Sequence, residues 1–403
     1  MSIILNMSSL KEKIKELTTL YLPEVISFRR WLHQHPELSF KEYETSRFIT
    51  QQLDKMGIKY TTGHARTGII ATITGNSPNG KVIALRADMD ALPIEEENAL
   101  EYKSVNKGIM HACGHDAHVA SLLGTAHILK DLKEHWNGTV LLIFQPGEEM
   151  LPGGASQIIK TDVLNNPKPD LVIGQHVFPE LESGQVGFRK GIYMASGDEI
   201  YMSVNGKGGH AAKPHTINDT VLTAAQIIVN LQQIVSRIVP ATVPTVLAFG
   251  KIEGNGAVNI IPNTVKIEGT LRTMDEKWRK ILKERIISTA SLTAAAMGCT
   301  CSVNIKEGYP TVYNNEKITE KAIIFAKNFL NEKEVKEVDL TMTAEDFGYY
   351  SQKFPATFYR FGVKSKTDDT GMLHNSRFNL DEACFETSVS LMSWLTISFL
   401  NDN

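Results

Sequence analysis

Nine consecutive residues, Met110-His111-Ala112-Cys113-Gly114-His115-Asp116-Ala117-His118, crowd one thiol, three imidazoles and one carboxylate into a single short stretch. Zinc-type cations take thiolate sulfur and imidazole nitrogen ahead of most other ligands, and the Cys-x-His spacing lets one tight turn offer both to the same ion. Taken alone, the segment also reads as a histidine-rich surface loop. The two readings differ in what the rest of the chain must supply: a metal site needs further donors, and in open α/β sheets those stand at the carboxyl ends of strands.

Such donors are present. Residues 139–145 (TVLLIFQ) are continuously apolar and rich in β-branched residues, the pattern of a strand buried on both faces, and they lead directly into Pro146-Gly147-Glu148-Glu149. A second apolar run, residues 170–175, delivers His176, expected at that strand's carboxyl end as well, and His374 follows Gly371 in a glycine-containing loop. One cysteine, three histidines and one glutamate suffice for two metal ions and leave the other glutamate free. Metal-assisted amide hydrolysis needs such a group, a base that takes a proton from water and returns it to the leaving amine, and Glu148 is assigned that task. In an extended backbone Glu149 points the other way, so the two carboxylates can serve different partners. Alone, an acidic pair of this kind is equally a solvated loop end.

With these residues in view, the chain resembles the aminoacylase and carboxypeptidase-G type of cocatalytic metallopeptidases, peptidase family M20, in the amidohydrolase branch that includes hippurate and auxin-conjugate hydrolases. The resemblance covers nearly the whole chain. It rests on Leu32-His33-x-His35-Pro36-Glu37-Leu38, Arg86-Ala87-Asp88-Met89-Asp90-Ala91-Leu92-Pro93, the His111 to His118 segment, Gln145-Pro146-Gly147-Glu148-Glu149, Gly208-Gly209-His210-Ala211-Ala212-x-Pro214-His215, and Leu373-His374. It implies that Cys113, His115, Glu149, His176 and His374 are the metal ligands, that Glu148 is the general base, and that Asp88 orients a ligand. One departure stands out: many relatives outside this branch place a histidine ligand where Arg86 stands and bridge the metals with an aspartate instead of a cysteine. A thiolate bridge favours soft divalent ions, yet geometry and supply decide selectivity as much as affinity does, so zinc, manganese, cobalt and nickel all remain candidates for the two divalent ions. Asp88 and Asp90 also read as caps of the turn at Pro93.

The pattern of elements points to an α/β fold. Helical spacing runs from Leu10 to Leu32 and from Lys41 to Met56, strands follow at residues 67–74 and 81–86, and residues 116–132 read as an amphipathic helix opening out of the metal segment. From about Gly197 the order becomes strand 199–205, helix 217–239, strand 245–253, strand 264–272, helix 276–297 and strand 300–306. This β-α-β-β-α-β order is the ferredoxin-like split arrangement, a unit that can be inserted into a host domain. The expected architecture is therefore an α/β/α catalytic domain with a mixed sheet, residues 1–190 and 307–403, interrupted by a ferredoxin-like α+β domain at 191–306. In the family resembled, such an insertion is a lid and often a dimerisation surface, which implies a homo-oligomer.

The insertion carries candidate substrate-binding groups: His210, placed to steady an oxyanion, and Asn259 and Arg272, suited to a substrate carboxylate. Each also reads as an ordinary turn or surface residue. His33 and His35 beside Pro36 read as structural, His118 and His127 as packing histidines on the helix, Cys299 and Cys301 as strand residues that pack, and Glu345-Asp346 as a helix start.

Composition removes several other classes of function. A formal net charge of -3 offers no basic surface for nucleic acid. The four cysteines, Cys113, Cys299, Cys301 and Cys384, are irregularly spaced and give no disulfide framework, as expected of a cytoplasmic protein. The apolar run at Met1–Met7 lacks the basic start and the small-residue cleavage site of a signal peptide, and no stretch is expected to approach the roughly 20 apolar residues of a membrane span.

The reading that follows is a two-metal amidohydrolase acting on an N-acyl amino acid. The alternatives are a dipeptidase or carboxypeptidase of the same family, an amidase using Cys113 as nucleophile, and a closed structural zinc site without catalysis.

Overall fold

The computed structural model describes residues 7–367 and 370–402, so the apolar run at the N-terminus lies outside the described residues except for Met7. The chain forms two compact units, one built from Met1–Gly191, Tyr313–Asp339 and Tyr349–Asn403, the other from Ile192–Val312 and Leu340–Gly348. In chain order the principal elements are α1 (Met7–Gln34), α2 (Tyr43–Met56), β1 (Lys59–His64), β2 (Gly68–Thr74), β3 (Val82–Asp88), α3 (His115–Asp131), β4 (Thr139–Gln145), β5 (Leu171–Glu182) and β6 (Val186–Phe188). There follow β7 (Ser196–Asn205), α4 (Thr220–Gln233), β8 (Thr245–Glu253), β9 (Thr264–Thr273), α5 (Glu276–Ala296) and β10 (Thr300–Lys306). The chain ends with α6 (Glu316–Phe329), β11 (Val335–Glu337), β12 (Ala356–Lys364) and α7 (Cys384–Asn401).

The first unit is an eight-stranded mixed sheet in the order β1-β2-β4-β3-β5-β12-β6-β11. Its centre is parallel: β4, β3, β5 and β12 run side by side in one direction, with Asp88 opposite Gln145 and His176 opposite Arg360. Every residue of β4 is buried, as expected of a central parallel strand whose two faces are both covered. Helix α3 was expected to be amphipathic, yet of its residues only His127, Lys130 and Asp131 escape burial. The reason is its position: it packs on α1, on α7 and on the sheet at once, and a helix covered on all sides has no use for a polar face. Strand β5 runs on to Glu182, so His176 lies within a strand and not at its end, because β12 pairs with β5 along its length. The sequence reading left β1, β6, β11, β12 and α7 unassigned.

The second unit has its own core and a four-stranded antiparallel sheet in the order β8-β9-β7-β10, with α4 and α5 packed on it. Ile200, Met202, Ile227, Leu231, Ile267, Leu282 and Ile286 fill the space between sheet and helices. Asp219 caps α4 by accepting the amides of Val221 and Leu222, and Asp275 caps α5 through that of Trp278. Arg279 on α5 grips the buried Asp198 at 2.7 and 2.8 Å, a fork that compensates the carboxylate's lost hydration. One expectation is corrected here. Thr220–Ile238, 19 residues with mean hydropathy 1.2, is long and apolar enough to cross a membrane by length and composition. Cys299 likewise precedes β10 and does not lie within it, where it accepts a hydrogen bond from Thr223 Oγ1.

The contact of α1, α3 and α7 has one position with no spare room. A Cβ on Gly124 of α3 would lie 2.6 Å from Val25 and 3.0 Å from Val389. Alanine is the better helix former by about 1 kcal/mol, yet Gly124→Ala is expected to lower unfolding stability by about 1–3 kcal/mol, because overpacking outweighs propensity. Denaturant unfolding of the two proteins checks this; an unchanged or higher midpoint refutes it.

Candidate metal centre

Four chain segments converge near the carboxyl ends of β3 and β4 in the first unit. Gly114 takes a left-handed conformation (φ 77°) at the start of α3, and a Cβ there would meet Val177 at 2.6 Å, so glycine lets the Cys113-Gly114-His115 turn lie against β5. The turn after β4 presents Glu148 and Glu149, β5 presents His176, and the loop before α7 presents His374, whose own amide donates to the Ala112 carbonyl at 2.8 Å.

The side chains meet closely. Donor atoms of Cys113, His115 and His176 lie within 4.8 Å of one another, and so do those of Cys113, Glu149 and His374 and those of His115, Glu148 and Glu149. Cys113 Sγ stands 3.6 Å from His176 Nε2, and His374 Nε2 stands 3.3 Å from Glu149 Oε1. All five proposed ligands and Glu148 are thus brought together. Cys113, His115, His176 and Glu148 are buried, while His374 is exposed.

The hydrogen bonds decide which atoms face inward. His115 Nδ1 bonds to the backbone carbonyl of Asp90 at 3.0 Å, and His176 Nδ1 to that of Val177 at 2.8 Å. A carbonyl only accepts, so both rings carry a proton on Nδ1 and turn Nε2 to the cluster. His115 Nε2 and Glu149 Oε1 are buried, and no group outside the cluster hydrogen-bonds to either. Buried polar atoms of this kind are costly unless something fills the space between them, and a divalent cation fits this set of sulfur, nitrogen and oxygen donors. His118 is excluded as a ligand. Its Nε2 accepts the Val177 amide at 2.9 Å and its Nδ1 donates to Asp88, leaving no lone pair for a metal.

Asp88 also receives Arg86 Nη1 at 2.6 Å and lies 3.7 Å from His115 Nε2. Burial alone would raise its pKa, but Arg86, His115 and His118 hold it well below the usual carboxylate range. Arg86 is turned toward Asp88 and Gln145 and neutralises the buried carboxylate. His111 is buried with both ring nitrogens unpartnered, and burial pushes its pKa down to about 4, so it is neutral at ordinary pH.

Several residues shape the centre through contacts that the sequence did not reveal. Asp90 accepts the amides of Glu148 and Glu149 at 3.0 Å each and the Ser39 hydroxyl at 2.6 Å. Glu42 accepts the amides of Phe40 at 2.8 Å and Gly147 at 2.9 Å, and the Thr67 hydroxyl at 2.6 Å. Behind the turn, Asp116 is held by Arg29 Nε at 3.0 Å and by His33 Nδ1 at 2.8 Å, and His33 Nε2 faces Glu96 at 3.1 Å. His33 is therefore structural, as is His127, which stacks on Tyr21 at 4.4 Å between ring centroids.

In the second unit, Gly209 and His210 form a two-residue strand against Ile260 and Ile261, and the Ala211 amide bonds to the Asn259 carbonyl at 3.0 Å. His210 and Asn259 are thus neighbours on one exposed edge. Arg272 belongs to the four-stranded sheet, opposite Gly197 and Val246, half-buried, with Nε donating to Thr270 at 3.2 Å. Glu345 accepts the Phe347 amide at 3.0 Å, ahead of the short helix that begins at Gly348.

Two titrations follow. Without metal, the hydrogen bonds that the His374 ring donates to Cys113 and Glu149 hold its pKa up to about 10, while burial and Glu149 push the Cys113 thiol above its ordinary value. Metal binding at neutral pH must displace these protons, so calorimetric titration with zinc in two buffers of different ionisation heat is expected to report net proton release; release of none refutes the assignment of these two ligands. Separately, burial and then Asp90 raise Glu42 to about 7 from 4.5. Between those values the unfolded chain gives up a proton that the folded chain keeps, so Glu42 costs stability increasingly as pH rises through that window. Glu42→Gln in the metal-free protein is expected to gain on the parent by up to about 3 kcal/mol from pH 4.5 to above 7, measured by urea unfolding; a difference independent of pH refutes it.

Residues 84–395 match the profile of peptidase family M20/M25/M40. The chain is 41% identical over 361 residues to the N-acetyl-L-cysteine deacetylase of Bacillus subtilis, covering 89% of this chain and 84% of that protein. It is 37% identical over 398 residues to thermostable carboxypeptidase 1 of Saccharolobus solfataricus, covering 97% and 99%. Among solved structures, a Bacillus subtilis protein described as a dinuclear metal binding peptidase from the M20 family superimposes with a TM-score of 0.81 at 31% identity, covering 96% of this chain and 99% of that one.

Proposed function

The chain belongs to peptidase family M20/M25/M40, and on that premise we propose that it hydrolyses the amide bond of N-acyl amino acids with a dinuclear metal centre held by Cys113, His115, Glu149, His176 and His374. One observation carries the reading: the two donor triads Cys113–His115–His176 and Cys113–Glu149–His374 share a single thiol. A closed structural site has no use for two triads joined at one sulfur, nor for a second buried carboxylate beside them.

Bound there, the ion pair supplies Lewis acidity: it polarises the scissile carbonyl and lowers the pKa of water toward about 7. The remaining work falls to the chain. Glu148 is buried beside His115 and Glu149, where it takes the proton of the attacking water and passes it to the leaving nitrogen. The two backbone carbonyls on Nδ1 fix the imidazoles of His115 and His176 so that Nε2 is the nitrogen that would meet the ions, and Asp88 is proposed to steady the His115 ring from 3.7 Å. His210 is proposed as the donor to the developing oxyanion, and Asn259 and Arg272 as the grip on the carboxylate of the departing amino acid.

The deacetylase and the carboxypeptidase relatives are reconciled by chemistry. An N-acyl amino acid and the C-terminal residue of a peptide present the same bond, an amide whose nitrogen belongs to an amino acid with a free α-carboxylate. The identity to the N-acetyl-L-cysteine deacetylase, 41% against 37% for the carboxypeptidase, supports a small acyl group over a peptide in this proposal. The Cys113-nucleophile alternative runs against the electrostatics: a nucleophilic thiol needs its pKa lowered, and burial with Glu149 beside it does the opposite. We assign zinc, manganese, cobalt or nickel as the working ion on the softness of the sulfur-containing donor set. We further propose a cytoplasmic homodimer: Cys113, Cys299, Cys301 and Cys384 are all free thiols, and the second unit exposes Leu222, Val229 and Ile252.

Hydrolysis of a panel of N-acetyl and N-benzoyl amino acids and dipeptides, before and after chelation and after restoring each metal, tests this. Activity abolished by chelator and restored by one metal is expected. Activity that resists chelator but yields to a thiol reagent refutes it. Glu148→Gln is expected to keep its metal and lose about 10²–10⁴ in kcat; near-normal turnover of the metal-loaded variant overturns the role of Glu148.

A further inference from the structure

Three successive backbone amides, those of Gly147, Glu148 and Glu149, all donate to buried carboxylates: the first to Glu42 at 2.9 Å, the next two to the two oxygens of Asp90 at 3.0 Å each. Consecutive amides pointing the same way form a cradle for an anion. Here the protein fills that cradle with its own side chains. A left-handed glycine permits the turn: Gly147 has φ 63°, and a Cβ on it would lie 2.4 Å from the Phe40 ring.

Asp90 reaches further than the turn. Its Oδ2 also receives the Ser39 hydroxyl at 2.6 Å, its Oδ1 lies 3.3 Å from His115 Nδ1, and its backbone carbonyl lies 3.0 Å from the same nitrogen. We propose that Asp90 is the positioning residue of the reaction, a single buried carboxylate that sets where Glu148 and Glu149 emerge and which nitrogen His115 turns to the metals. The assignment rests on the two-metal reading above.

The argument is one of donor counting. Asp90 is 1% exposed, so water cannot replace a lost acceptor. Its Oδ1 takes the Glu148 amide and its Oδ2 takes the Glu149 amide and the Ser39 hydroxyl, so both oxygens serve as acceptors. An ionised carboxylate is acceptor-only and meets four donors at once. An asparagine at this place has one oxygen and one amino group. Its amino group must face either the amide of Glu148 or that of Glu149, two donors in opposition, and the turn has to move to separate them. Moving the Glu148 amide displaces the base. Moving the Glu149 amide displaces a ligand. Both follow from one atom exchange that leaves the side chain's volume almost unchanged.

A residue that only stabilises the fold would lower the melting temperature and leave the centre of the surviving folded protein intact. A positioning residue alters the centre itself. The experiment loads the full-length protein with cobalt, whose absorption spectrum reports ligand number and geometry, and measures cobalt affinity, kcat and KM on the best substrate of the panel for the parent, Asp90→Asn and Ser39→Ala. Asp90→Asn is expected to bind cobalt about 10–100-fold more weakly, the size of effect known for partners behind metal ligands. Its spectrum is expected to change, and kcat to fall about 100-fold or more with KM much less affected, because the displaced base acts only in the chemical step. Ser39→Ala removes one of the donors to Oδ2 and keeps the carboxylate, so it is expected to show the same spectral change and the same kcat-weighted loss at smaller size.

A folded Asp90→Asn with the parent's spectrum, affinity and kcat overturns the proposal. If Asp90→Asn does not fold, Ser39→Ala decides, and a Ser39→Ala protein indistinguishable from the parent in spectrum and kcat overturns it. A parent that takes up no cobalt and hydrolyses nothing in the panel overturns the functional reading instead, and is recognised before any variant is compared.

Discussion

A carboxylate taken out of water must be surrounded by donors or cations, and in this chain the architecture of the site follows from how three such groups are surrounded. Asp88 is met by Arg86 and His118, Asp90 by two amides and Ser39, and Asp116 by Arg29 and His33. Each ties a different element to the same few residues. Asp88 links β3 to α3, Asp90 links the end of β3 to the turn after β4, and Asp116 links α3 to α1. Removing one partner from such a group leaves an uncompensated buried charge, which costs several kcal/mol, so the elements cannot slide past one another without first breaking these contacts. The Cys113-Gly114-His115 turn sits inside this frame and inherits its rigidity.

The frame also explains how a cluster of metal-binding groups exists without collapsing onto itself. The Nδ1 atoms of two imidazoles are engaged by the backbone carbonyls of Asp90 and Val177, which holds the rings in place against the neighbouring thiol and carboxylates. Only the Nε2 faces inward. His118 shows the contrast, since both of its nitrogens are used and it serves packing and the orientation of Asp88. The same residue type within a few positions thus takes two different tasks, according to which acceptors the neighbouring strands present.

How much of this could be read in advance depended on whether the signal was local. The strand 139–145, the acidic pair after it, the helix that opens at the metal segment and the β-α-β-β-α-β order of the inserted unit are all patterns a few residues long. They were legible because periodicity and turn residues report local structure directly. His176 was legible as a candidate but its setting was not, since the strand that carries it extends to Glu182 only through pairing with β12, far along the chain. The full burial of α3 was hidden for the same reason: it reflects α1 and α7 closing over it, and nothing within the helix announces them.

Sequence alone determined the chemical inventory, that is, which residues are candidate donors for a soft divalent pair, which glutamate is the candidate base, and which segments become the strands beside them. Those are statements about residue type, spacing and short-range pattern, and they need no partner to be true. Only the tertiary structure decided the protonation sites of His115 and His176, the exclusion of His118, and the joining of two donor triads at Cys113. It alone revealed the reach of Asp90 across 58 and 59 positions to the amides of Glu148 and Glu149. These depend on what faces an atom across space, and in a buried site that is settled by which distant donors and acceptors the packing of the sheet brings within about 3 Å of it.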